Sequence, residues 1–140
     1  MIKYHFITPF ELKEPNRYKL WLKQLAANKG FFVGDIDYIF CDDDYLLTIN
    51  QNFLKHDTFT DIITFDNRVG ETLNGEIYIS RNRITENAQL YKTSSSEELL
   101  RVIAHGILHL CGYNDKSKEE KEVMRKEEEN AINLFYKLFA

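Results

Sequence analysis

The chain has 140 residues, of which 44% are hydrophobic and 29% charged; this suits one compact, water-soluble domain and excludes a disordered chain. Its 18 basic and 22 acidic residues give a formal net charge of −4, which disfavours a generally basic nucleic-acid binder while leaving room for a local basic groove. No apolar run approaches the roughly 20 residues that span a bilayer and no secretory apolar region follows Met1, so the expectation is a cytoplasmic protein with no membrane partner.

Ile2–Ile7 reads as a first strand. Pro15 and Asn16 open a helix through about Asn28, with Tyr18, Leu22, Leu25 and Ala26 at helical spacing and Gly30 as its stop. In Gly34–Cys41 the alternation of Ile36, Tyr38 and Phe40 marks a strand. Asp42, Asp43 and Asp44 suit an N-cap and first helical turn better than a metal cluster, because adjacent carboxylates on a capped turn diverge.

Asp61–Asp66 and Gly75–Ser80 read as two further strands joined by the polar segment Asn67–Asn74, and Arg81–Tyr91 as a helix. Ser94/Glu97 and Ser95/Glu98 both have capping-box spacing and start a helix through Cys111. Lys116–Phe139 reads as a long amphipathic helix with Val123, Met124, Ala131, Leu134, Phe135 and Leu138 inward. Its charged run Lys116–Glu129 is read as solvated. Cys41 and Cys111 form no CxxC pair and are expected to be buried thiols. Strands and helices mix without strict βαβ alternation. The expected class is therefore α+β: about four strands packed with about five helices, and a metal site at the end of a central helix.

The segment from Leu99 to Asp115 carries the chemistry. His105 and His109 stand i, i+4 and share one face of an almost wholly apolar helix. Two imidazoles buried side by side need a partner, and a metal is one; two independently hydrogen-bonded histidines are the alternative. Gly112 stands where a helix ends on a left-handed residue, so the chain can fold back and bring Asp115 to the pair. Three protein ligands with one open position is the pattern of a catalytic zinc site. One divalent metal per chain, zinc for preference, is expected on His105, His109 and Asp115. Such a metal lowers the pKa of its water toward about 7, and His105 and His109 would act catalytically through it. This is not the zinc-peptidase motif, because the position after the first histidine is Gly106, which transfers no proton.

His105-Gly-Ile-Leu-His109-Leu-Cys-Gly112-Tyr113 resembles the HGxLHLxGYDH signature of the YbeY family of metal-dependent endoribonucleases. Asn50, Phe53, Asp57 and Thr60-Asp61-Ile-Ile-Thr-Phe65 are similar to a second family block, and Gly75-Glu76-Ile-Tyr-Ile-Ser80 to its G-D-I-x-I-S strand. The resemblance implies an endoribonuclease that cuts single-stranded RNA in rRNA maturation and ribosome quality control, with RNA and ribosomal particles as partners.

Two departures stand out. Asp115 occupies the position of the family's third histidine ligand, which would lower the site's net charge from +2 to +1, make the bound water less acidic and favour harder metals. Asn114 also replaces the family's aspartate. Leu54 replaces a family arginine thought to serve the active site; His56 is the candidate substitute cation or acid, against a surface loop histidine. Thr60 and Asp61 match a family Thr-Asp pair with a substrate-site role, or else form a strand-entry turn. Glu76 either orients a ligand imidazole or is an edge charge.

The basic residues Arg17, Lys19, Lys23, Lys29, Arg81, Arg83 and Lys92 could track a phosphate backbone, but solvated helix faces are the stronger reading. Two other functions remain open: a zinc hydrolase of another class, against which Gly106 argues, and a non-enzymatic, metal-stabilised ribosome-associated factor, to which Leu54 lends weight.

Overall fold

The computed structural model of the protein describes residues 1–54 and 62–139, the side chains of 53 and 54 excepted. In chain order the elements are β1 (Ile2–Phe6), α1 (Pro15–Asn28), β2 (Phe32–Cys41), α2 (Asp43–Ile49), a π-helical turn (Asn50–Leu54), β3 (Ile62–Asp66), β4 (Thr72–Ser80), α3 (Arg81–Leu90), α4 (Ser95–Leu110) and α5 (Lys118–Phe139). The α+β expectation of four strands and five α-helices holds among the described residues. The sheet order is β1-β2-β4-β3, with β1, β2 and β4 parallel and β3 antiparallel to β4. The strand read from Gly75 begins three residues earlier, because Thr72 and Leu73 already pair with Phe32 and Val33.

Strand alternation sorts the sheet into two faces. Ile36, Tyr38 and Phe40 of β2 and Leu73, Ile77 and Ile79 of β4 enter the main core with α1, α4 and parts of α3 and α5. Cys41, Ile63, Phe65 and Tyr78 point the other way and pack against Leu46 and Ile49 of α2. Two buried polar handles are satisfied across layers. The Tyr38 hydroxyl donates to the Ile103 carbonyl of α4, and Trp21 Nε1 donates to the Ala131 carbonyl of α5, each at 2.8 Å.

Asp42 occupies the N-cap of α2, but its side chain makes no cap bond. It accepts instead from Thr8 and from Arg81, while Asn82 Oδ1 accepts the Asp43 N–H. Asp43 pairs with Arg83, so the acidic triplet ties α2 to α3 and holds two of the basic residues considered for RNA. Lys29 is bound in turn to Glu127. The doubled capping box resolves to one bond, Ser94 Oγ accepting the Glu97 N–H, and α4 begins at Ser95. Both cysteines are free; Cys41 is buried as expected, whereas Cys111 is only partly so. Burial pushes the Cys41 thiol up to about 12 and the Cys111 thiol up to about 11. No helix of the described residues is long and apolar enough to cross a membrane.

Two readings of α5 are corrected. Val123 and Leu138 are 50% and 43% exposed, so they are not part of its inward stripe. That stripe is Met124, Glu128, Ala131 and Ile132, with Leu134 and Phe135 packed against the core as expected, and the charged run is therefore not wholly solvated: Glu128 is 3% exposed.

Helix α4 is the centre of the assembly, with eleven of its residues buried. It approaches β4 so closely that a Cβ on Gly106 would lie 2.8 Å from both Cγ2 and Cδ1 of Ile77. The glycine is a packing requirement, which explains why no acid or base can occupy that position. Gly106→Val should lower unfolding free energy by about 1–3 kcal/mol through overpacking. Urea denaturation measures this, and wild-type stability would show that α4 can retreat from the sheet.

Candidate metal centre

The docking of Gly106 onto the sheet turns the adjacent His105, and His109 one turn later, toward the last residues of the α4–α5 connection. The two rings stand 4.5 Å apart between centroids, at 78° to each other. Helix α4 then ends as the sequence implies. Gly112 has φ +104°, its N–H donates to the His109 carbonyl, and the Tyr113 N–H donates to the Leu108 carbonyl. This paired bonding is a Schellman termination, in which a left-handed residue reverses the chain. The next helix is pinned by a reciprocal capping box, Ser117 N–H to Glu120 Oε1 and Glu120 N–H to Ser117 Oγ. Asp115 sits between these two fixed points.

Asp115 Oδ2 lies 3.2 Å from His105 Nε2 and 3.5 Å from His109 Nε2. Candidate ligand atoms of these three residues all lie within 4.8 Å of one another. The other nitrogen of each ring is committed. His105 Nδ1 is 2.5 Å from Glu128 Oε2, and His109 Nδ1 is 2.9 Å from the Tyr113 carbonyl oxygen. Carbonyl and carboxylate oxygens only accept, so both Nδ1 atoms carry hydrogen. In the neutral rings both Nε2 lone pairs therefore converge on a carboxylate. Such a set of three acceptors could hold a cation between them, and its donor types are those of zinc sites.

The electrostatics agree. Burial lowers the pKa of His109, and the neighbouring His105 adds to this against the pull of Asp115. A neutral, ligating imidazole is thereby favoured at neutral pH. The hydrogen bond to His105 and the charge of His109 overcome burial and bring the Asp115 carboxyl down to about 2.

The remaining sequence candidates separate from this cluster. Glu76 is exposed on the sheet face opposite α4 and accepts from the Tyr78 hydroxyl. The carboxylate that touches a candidate ligand imidazole is Glu128, within the charged run expected to be solvated. Its signal was present: position 128 is four residues after Met124 and three before Ala131, on the inward face. His56, Thr60 and Asp61 lie outside the described residues. His5 pairs with Asp37 at 2.8 Å, on β1 and β2.

Comparison with known proteins identifies the family. The family model described as Endoribonuclease YbeY matches residues 11–136. A Christiangramia forsetii protein named Endoribonuclease YbeY is 50% identical over 127 residues, 91% of this chain and 89% of its own length. One of the same name from Flavobacterium psychrophilum is 45% identical over 136 residues, 97% of each chain. Among solved structures, the solution structure of a Thermotoga maritima protein superposes with a TM-score of 0.66 at 27% identity, covering 99% of this chain and 91% of that one. With its α4 signature, its Schellman turn and its match from Glu11 to Tyr136, this chain belongs to the YbeY endoribonuclease family.

Proposed function

We propose that this protein is a metal-dependent endoribonuclease that cleaves single-stranded RNA, acting on ribosomal RNA in maturation and ribosome quality control. The carrying observation is the convergence of His105 Nε2, His109 Nε2 and Asp115 Oδ2, with both Nδ1 hydrogens committed elsewhere. Zinc is the proposed metal, one per chain, from the donor set. Family membership supports the RNA substrate.

When bound, the metal supplies Lewis acidity toward water and a phosphoryl oxygen. The chain's own residues supply the placement. His105 and His109 hold the site on a rigid buried helix, and Asp115 closes it from the connection. Gly106 contributes no proton transfer, so the site works without the glutamate base of HExxH peptidases.

His105→Ala and His109→Ala should each reduce RNA cleavage by at least about 100-fold, since Lewis-acid stabilisation contributes several kcal/mol. Cleavage of a single-stranded RNA by purified variants tests this; wild-type rates in both would refute the reading. Asp115→Ala should lose metal, and Asp115→His should keep or tighten it. Metal content measured on both decides whether Asp115 is a ligand.

Acid should weaken the site. Each imidazole must be deprotonated to ligate, and the pKa of His109 is already lowered. Affinity should thus be full near neutrality and fall as pH drops below the ordinary histidine range. Zinc titrations at neutral and mildly acidic pH read this, and a pH-independent affinity would exclude histidine ligands.

A second reading is favoured by Leu54, which stands where the family has an arginine: a metal-stabilised, non-enzymatic ribosome-associated factor. Chelation that abolishes RNA cleavage while circular dichroism stays native favours the enzyme. A folded, metal-loaded protein without cleavage favours the factor.

A further inference from the structure

Behind His105, on the side away from Asp115, α4 and α5 enclose a cluster of charges. Glu98 and Glu128 are 2% and 3% exposed. Arg101 lies between them. Its Nη2 is 2.5 Å from Glu98 Oε2, its Nε is 2.8 Å from Glu98 Oε1, and its Nη1 is 3.4 Å from both oxygens of Glu128. Asn87 of α3 touches Glu98 Oε2 at 3.5 Å. Glu128 reaches past Arg101 to His105 Nδ1 at 2.5 Å.

As a clasp between helices this arrangement is poorly economical. Two buried carboxylates share one guanidinium, and buried ion pairs seldom repay their desolvation. With Arg101 closer to Glu98, Glu128 is the carboxylate left with negative charge to spare, and its shortest contact is the candidate ligand. A carboxylate can only accept from Nδ1, which confines the neutral ring to the tautomer whose Nε2 lone pair faces Asp115.

We propose that Glu128 is a positioning residue for the metal centre: it fixes the tautomer and orientation of His105 and passes negative charge through the ring to Nε2, while Arg101 and Glu98 hold it in place. This rests on His105 being a metal ligand, as proposed above.

The test uses full-length protein at one fixed neutral pH, with Glu128→Gln and Glu128→Leu. Glutamine keeps the shape but can either accept from Nδ1 or donate to it. Long-range 1H–15N spectra of metal-free, 15N-histidine-labelled protein should show His105 as the Nδ1–H tautomer alone in wild type. Both tautomers should appear in Glu128→Gln. Zinc affinity, read by chelator competition, should fall roughly 10–100-fold in the same variant. A merely structural role predicts a lower melting temperature with unchanged ring signals and unchanged zinc affinity, and that result overturns the proposal. If Glu128→Leu fails to fold, the near-isosteric glutamine variant decides. If wild type binds no zinc, the metal reading fails separately, and the tautomer spectra still decide the role of Glu128.

Discussion

The close approach of α4 to β4 is the constraint from which the site follows. With Gly106 against Ile77, α4 has one permitted rotation about its axis. His105, adjacent to that contact, and His109, one turn later, then emerge on the flank that α5 and the connection can reach. A larger residue at 106 would tilt or lift the helix and displace both imidazoles together. The Tyr38 hydroxyl bond to the Ile103 carbonyl fixes the same helix along its axis. Packing and chemistry are thus coupled: the residue type that permits the approach is also the one that removes the usual general base.

A second dependence runs through charge. The convergent acceptors at His105, His109 and Asp115 would repel one another without a cation, and the Arg101 cluster adds a further carboxylate behind the ring. Three carboxylates, Glu98, Glu128 and Asp115, stand around a single guanidinium, that of Arg101. A divalent cation would offset that excess of negative charge, which is most costly at the buried Glu98 and Glu128.

Much of this was legible in the sequence. The i, i+4 histidines, the helix-ending glycine at 112 and the returning Asp115 specify their own geometry through local rules of helix spacing and termination, and local rules survive without tertiary information. Glu128 was harder. Its charge pointed to solvent, while its phase between Met124 and Ala131 pointed inward; only the proximity of Arg101 and His105, 27 and 23 residues away, makes the inward placement affordable. For Glu76 the sequence leaves both an imidazole-orienting role and an edge charge open, and its exposed position fits the edge charge. It sits in a strongly apolar strand, but strand alternation sends it to the face away from α4, and alternation alone does not say which face carries the helix. Val123 and Leu138 were assigned inward by hydrophobicity, although single exposed apolar residues on a helix are ordinary.

Asp115 is where this chain differs most from the signature it resembles, and the surroundings bear on the consequence. An aspartate side chain is shorter than histidine's, yet its Oδ2 still reaches both Nε2 atoms, because the Schellman turn and the Ser117–Glu120 box hold the connection close to α4. The carboxylate brings a charge that histidine would not. Added to the one behind His105, it makes the site more electron-rich toward a metal than a set of three imidazoles. A metal held there would polarise its water less than one held by three imidazoles, and harder metals would compete better. Under the proposed function, such a loss of acidity would leave more of the catalysis to residues around the substrate.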